Sequence, residues 1–304
     1  MRCRSRVILG IFAAPHKRGP RQLPALDWAP TTKFSMPELP EVEITRRGIE
    51  PFLTGQTITA VEVREPRLRW RIPAEVASLT GRTILSVKRR GKYILVDCGT
   101  GHLILHLGMS GSLRILDTGA RAEKHDHFDL TVGAKMLRLR DPRRFGAVLW
   151  TGESPRAHRL LAGLGVEPLS TTFTGKGLHA VSRGHQVAIK LFLMDAKNVV
   201  GVGNIYANES LHRARIHPRA KAGRLTLERY ERLVAAVKDT LRAAILAGGS
   251  SLRDFVHSDG SSGYFQQTYG VYGRGGEPCK TCATPIRRVV IGQRATYYCT
   301  RCQK

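Results

Sequence analysis

The chain has 304 residues, room for two sizeable domains and a small appendage. Lysine and arginine number 49 against 24 acids, a formal net charge of +25, and the excess is spread along the whole length. That balance points to a polyanionic partner, and no apolar run reaches the length of a spanning helix, which favours nucleic acid over a membrane.

The first 35 residues carry seven basic side chains and one acid, Asp27. Val7 to Ala14 is short and apolar, so a signal or transit segment is one reading. Prolines interrupt it and no small-residue cleavage pattern follows. A misassigned start or a disordered leader, residues 1–36, is the preferred reading. Residues 37–53 are predicted to form a helix offering Leu39, Val42, Ile49 and Phe52 to a core.

Short β-rich segments punctuated by glycine follow: Thr57–Val63, Thr83–Val87, Tyr93–Val96, Leu103–Leu107, Leu113–Leu116, Phe128–Val132, Met136–Leu139 and Ala147–Trp150. Their regular spacing predicts a two-layer β-sandwich, giving a first domain over 37–165. Gly163 to Gly177 reads as a turn-rich connection. Apolar residues at helical spacing then predict helices over Val187–Met194, Ile205–Arg215 and Leu227–Ala247, the last stopped by Gly248-Gly249. This helical domain spans 166–265 and includes a glycine-rich loop at 258–263, expected to be mobile.

The end of the chain, 266–304, is too short to bury a core of its own. It carries Cys279-x-x-Cys282 and Cys299-x-x-Cys302, with sixteen residues between the pairs. This spacing matches a four-thiolate zinc site; disulfides or a redox pair are the alternatives, and no secretory signal supports them. One structural Zn2+ would hold the segment together. Cys98 reads as a small core residue and Cys3 has no partner motif.

Met36-Pro37-Glu38-Leu39-Pro40-Glu41-Val42-Glu43 is the most informative segment. A chain started at Met36 and trimmed of it would expose Pro37 as a free secondary amine, which can attack an aldehyde-like carbon and form an iminium ion. Glu38 beside it is placed for general acid or base work. The structural alternative is an ordinary helix start, where proline and acids are favoured, and the two readings are compatible.

Together with Arg90-Gly91-Lys92-Tyr93, His106-Leu107-Gly108-Met109-Ser110-Gly111, Lys124-His125-Asp126-His127, Asp141-Pro142-Arg143-Arg144-Phe145-Gly146, Gly201-Val202-Gly203-Asn204-Ile205-Tyr206 and the terminal cysteine pairs, this segment resembles the bacterial formamidopyrimidine-DNA glycosylases. The motifs run in family order from Pro37 to Lys304. The resemblance implies an α+β fold: an N-terminal helix plus two-layer β-sandwich, then a helix–two-turns–helix domain with a C-terminal zinc ribbon. It implies a bifunctional base-excision enzyme that removes 8-oxoguanine and formamidopyrimidines from double-stranded DNA. The abasic site would then be cleaved by β,δ-elimination through a Schiff base on Pro37.

By the same resemblance Glu38 handles protons and Lys92 assists catalysis, although a strand-end cation gripping phosphate is the alternative for Lys92. Met109, Arg143 and Phe145 match a wedge that fills the space left by a flipped nucleotide; without the resemblance, Met109 and Phe145 would read as core. Asn204, behind its glycines, would grip a phosphate, or serve as a plain N-cap. His125 resembles a DNA contact, and His106 is either another or a satisfied strand histidine. Arg294 falls where a ribbon hairpin would present its tip to phosphates beside the lesion. Lys190 matches a lysine linked to purine-lesion recognition. His185 stands near where relatives often carry a DNA-contacting lysine, and that contact stays unassigned. A bacterial cytoplasmic, nucleoid-associated monomer is the expected setting. The rivals are an endonuclease VIII-like enzyme, from which the Leu-Pro-Glu and the wedge differ, and a non-catalytic zinc-ribbon DNA-binding protein.

Overall fold

Helix α1 (Leu39–Leu53) starts two residues later than its sequence pattern predicts, because Glu38 is its extended N-cap. Glu41 supplies half of a capping box by accepting the Glu38 backbone N–H at 2.9 Å. Leu39, Val42 and Ile49 are buried as expected; Phe52 is 43% exposed, and Leu53 takes the inward position instead. The computed structural model describes residues 36–249 and 268–304. The proposed leader up to Ser35 and the glycine-rich loop at 258–263 lie outside the described residues.

Two four-stranded antiparallel sheets follow. One holds β1 (Ile58–Val63), β5 (Ser112–Asp117), β6 (Asp126–Val132) and β7 (Lys135–Arg140) in the order β1-β6-β7-β5. The other holds β2 (Ser86–Arg90), β3 (Tyr93–Asp97), β4 (His102–His106) and β8 (Ala147–Thr151) in the order β2-β3-β4-β8. Ile94, Val96, Leu103 and Leu105 from the second sheet meet Phe128, Leu130, Leu137 and Leu139 from the first, with Val42, Ile49 and Leu53 of α1 closing the core. Each such side chain stabilises the fold by about 1.5–3 kcal/mol relative to exposure, which outweighs the surface ion pairs. This is the expected sandwich.

Strand β2 departs from its prediction by three residues. It continues through Arg89 and Arg90, both neutralised inside the fold. Arg89 donates to Glu43 and Glu167, each at 3.0 Å, and Arg90 to Glu167 and the Leu164 carbonyl. The other strands fall within two residues of the pattern.

The helical part contains α2 (Gly175–Ser182), α3 (Ile189–Met194), α4 (Asn204–Arg213) and α5 (Leu227–Leu246) around Phe192, Tyr206, Leu211, Tyr230, Leu233 and Val237. Helix α2 has no sequence signal, since Gly175 and Gly177 read as turn residues. Thr174 caps it by accepting from Gly177 N–H at 3.1 Å, and a Cβ at Gly175 would lie 2.6 Å from Glu231 of α5. Close helix packing, not a turn, explains that glycine. The last segment forms a hairpin, β9 (Arg287–Ile291) and β10 (Arg294–Tyr298), turned by Gly292-Gln293 with both φ angles positive. No described helix is long and apolar enough to cross a membrane.

Candidate active site and metal centre

The centre of the molecule is a carboxylate from one domain held by a helix start from the other. Glu38 is 2% exposed. It accepts N–H bonds from Gly203 at 2.7 Å, Ile205 at 2.9 Å and Tyr206 at 3.4 Å, all at the N-terminus of α4. The positive end of that helix thus faces the acid. Gly203 permits the approach, since a Cβ there would lie 2.3 Å from the Glu38 carboxyl carbon; Gly201, at φ +79, sits equally tight against Leu39. The sequence reading aimed these amides at a phosphate. The structure corrects this: Glu38 already occupies them. Asn204 is the first residue of α4, not its cap, and donates through Nδ2 to the Ala295 carbonyl at 3.1 Å.

Burial pushes Glu38 up to about 7; Lys92 opposes the rise, Glu41 adds to it, and the Ile205 and Gly203 amides hold it down. The same environment, chiefly burial, depresses Lys92 below the usual lysine range, with Glu38 and Glu41 opposing and Arg294 reinforcing. Buried Glu41 accepts Tyr206 Oη–H at 2.6 Å, so Tyr206 stays protonated far above neutrality, largely through its own burial. Glu38 and Lys92, and Lys92 and Arg294, are thus electrostatic neighbours, with Glu38 next in sequence to Pro37, itself buried at the head of α1. A carboxyl group balanced near neutrality can both take and return a proton at physiological pH.

His106 lies at the end of β4 beside Lys92, its ring 4.8 Å from that of Tyr93. Burial, with help from Lys92, lowers it to about 4, so it is neutral. Nδ1 accepts the Gly108 N–H at 3.0 Å, which leaves the proton on Nε2. His106 is thus satisfied at Nδ1 within the strand, and a contact with DNA would be that of a neutral Nε2 donor.

Gly108, at φ +64, lets the 108–111 loop touch the 143–146 loop, where a Cβ would lie 2.3 Å from the Phe145 carbonyl carbon. Asp141, fully buried, ties the two loops: it accepts from Ser110 Oγ at 2.7 Å, Arg143 N at 3.3 Å and Gly146 N at 2.7 Å. Met109 is half-buried, Phe145 is 42% exposed, and the Arg143 guanidinium stacks 4.8 Å from the Phe145 ring centre. The core reading of Phe145 fails. Arg144 and His125 are held at φ 56 and φ 80, left-handed values that cost a non-glycine residue about 1 kcal/mol or more. The His125 carbonyl accepts the Asp141 N–H at 2.9 Å, which joins that turn to the wedge.

Lys190 requires a correction. It is fully buried in α3, donating to Ala295 O at 3.1 Å and Thr296 Oγ1 at 2.7 Å, and burial lowers it to about 8. The charges of Glu38 and Arg294 act on its ammonium, which is engaged by the ribbon; it seats the ribbon on the helical domain. Asn208 does the same by accepting Tyr297 N–H at 2.8 Å, and Gln303 donates to Ile216 O at 2.9 Å. Sequence reasoning missed Glu209, which accepts three successive amides from Gly270, Val271 and Tyr272. A lone acid in a helix carried no signal.

The four ribbon thiols, Cys279, Cys282, Cys299 and Cys302, lie within 4.8 Å of one another. The separations are 3.9 Å for Cys279–Cys302 and 3.4 Å for both Cys282–Cys299 and Cys282–Cys302. A tetrahedron with Zn–S bonds of about 2.3 Å has edges of about 3.8 Å, so the set fits zinc. Four thiolates close the shell and leave no position for a catalytic water.

Three family models match in this order: the formamidopyrimidine-DNA glycosylase N-terminal domain over 36–148, its H2TH domain over 164–256, and the zinc finger found in FPG and IleRS over 276–304. The formamidopyrimidine-DNA glycosylase of Aromatoleum aromaticum is 60% identical across its whole length, which matches 88% of this chain. The chain belongs to the formamidopyrimidine-DNA glycosylase family. It is an enzyme of base excision repair, with one structural zinc. The crystal structure of the MutM (FPG) protein from Thermus thermophilus superposes with a TM-score of 0.80 at 39% identity, over 88% of this chain and 98% of that one. A mutant of the Lactococcus lactis FPG, in complex with a Fapy-dG containing DNA, gives 0.81 at 34%, over 88% and 100%.

Proposed function

We propose that this formamidopyrimidine-DNA glycosylase excises oxidised purines, 8-oxoguanine and formamidopyrimidines, from duplex DNA and then cleaves the abasic site. The observation that carries the reading is Pro37 followed by Glu38, a buried carboxyl group held by the Gly203 and Ile205 amides at the start of α4, which burial lifts to about 7. The chain acts with Pro37 as its first residue, since only a free imino nitrogen can attack the sugar C1′. Glu38 opens the deoxyribose ring by proton transfer, and the resulting iminium acidifies the sugar for β- and then δ-elimination. Lys92 and Arg294 surround the reacting sugar with positive charge that stabilises the departing phosphates. Met109, Arg143 and Phe145 enter the duplex where the nucleotide leaves, while Asn204, His125 and His106 grip its backbone. The setting is the bacterial chromosome in the cytoplasm.

Borohydride trapping on an 8-oxoguanine duplex tests the chemistry. Protein beginning at Pro37 gives a covalent complex whose crosslinked peptide maps to Pro37. An adduct on a lysine would overturn the assignment.

A further inference from the structure

We propose a second ligand site, for a phosphomonoester of mononucleotide size, on the outer face of the β2-β3-β4-β8 sheet. A cavity of about 320 Å³ lies there, floored by Leu95, Pro155 and Leu161 and rimmed by Lys88, Arg156 and His102. It adjoins a second hollow of about 430 Å³ through Arg90, Arg156 and Leu161. The volumes suit a small organic ligand.

The charges select an anion. Arg89 and Arg90 also line the cavity, but Glu43 and Glu167 neutralise them. Lys88 and Arg156 pair with no carboxylate among the described residues, although the only acid lining the cavity, Asp97, is close by. Asp97 is engaged 3.8 Å from His102 Nε2, and His102 Nδ1 is buried without a partner. Two cations beside an apolar floor match a phosphate joined to a ring: the phosphate on Lys88 and Arg156, the ring on Leu95 and Leu161. The cavity is separate from the catalytic centre, since Pro37, Glu38, Lys92 and Arg294 are not among its lining residues.

The test uses the zinc-bound enzyme saturated with abasic-site duplex, so that the catalytic groove is filled. Titration with dGMP, followed calorimetrically, gives binding that survives the duplex. Deoxyguanosine and inorganic phosphate each bind at least about tenfold more weakly, because each lacks half of the recognised group. The double variant Lys88→Ala, Arg156→Ala weakens dGMP at least about tenfold and leaves excision from a lesion duplex unchanged. A 5′-phosphorylated dinucleotide in place of dGMP distinguishes a DNA end from a free nucleotide as the source. Absence of dGMP binding at millimolar concentration, displacement by the duplex, or an unaffected double variant overturns the proposal. So does inorganic phosphate binding as well as dGMP.

Discussion

Glu38 is where sequence and structure explain each other at the level of single residues. Its acidity is set by burial against Lys92, so pH should report on both. The lyase rate should show a limb centred near pH 7. Because the Lys92 charge holds Glu38 down, Lys92→Met should move that limb to higher pH, measurable as a pH–rate profile on preformed abasic sites. Glu38→Gln removes the titrating group and should lower the rate by about 100-fold or more, with duplex affinity nearly unchanged. Pro37→Gly, built from a Met36 start, exchanges the secondary amine for a primary one and should leave duplex binding intact while nearly abolishing lyase turnover; lyase activity at the parental level would contradict the assignment. At this scale the sequence was legible in the four thiols, whose type and spacing the chemistry of zinc dictates. It was silent on Asp141 and Glu209, whose roles depend on amides brought from elsewhere along the chain.

Elements depend on a few contacts that no local pattern displays. Helix α4 begins against Glu38, and Gly203 is the point of closest approach. Gly203→Ala would force the carboxyl group away from its amides. It should lower Tm and cut excision about tenfold or more, because catalytic geometry tolerates little displacement. Lys190 shows a second dependence. Lys190→Met would remove the donor to Thr296 Oγ1 and one of two donors to Ala295 O, which keeps Asn204 Nδ2, a cost of about 1–3 kcal/mol, and should raise hydrogen exchange in β9 and β10 before it affects the sandwich. Uniform protection across the ribbon would refute that coupling. Most strands were legible because hydrophobic alternation is a local signal. The β2 register was not, since Arg89 and Arg90 are made strand-compatible by Glu43 and Glu167, both distant in sequence. Helix α2 was hidden for the same reason: Gly175 is small for the sake of α5.

Across the whole molecule, zinc and net charge act on different properties. Stripping the metal should dissolve the ribbon, displace Arg294 and abolish specific duplex binding. The sandwich transition in calorimetry should survive, because its core is wholly separate from the cysteines of the ribbon. Retained lesion binding after complete chelation would show that the ribbon is dispensable. The overall plan, sandwich then helices then ribbon, could be read from periodicity and cysteine spacing. The way the parts face one another could not, since it rests on pairings such as Asn208 with Tyr297 and Arg90 with Leu164.

The N–H donors around Glu38 have one more implication. The acid precedes α1, yet the amides that hold it come from α4, beyond the interdomain connection. Pulled apart, the two halves would leave that side chain in water, ionised well below neutrality like any surface glutamate. On the proposed mechanism strand scission would therefore be gated by assembly, since burial holds this carboxyl group near neutrality only while the lobes are clasped together.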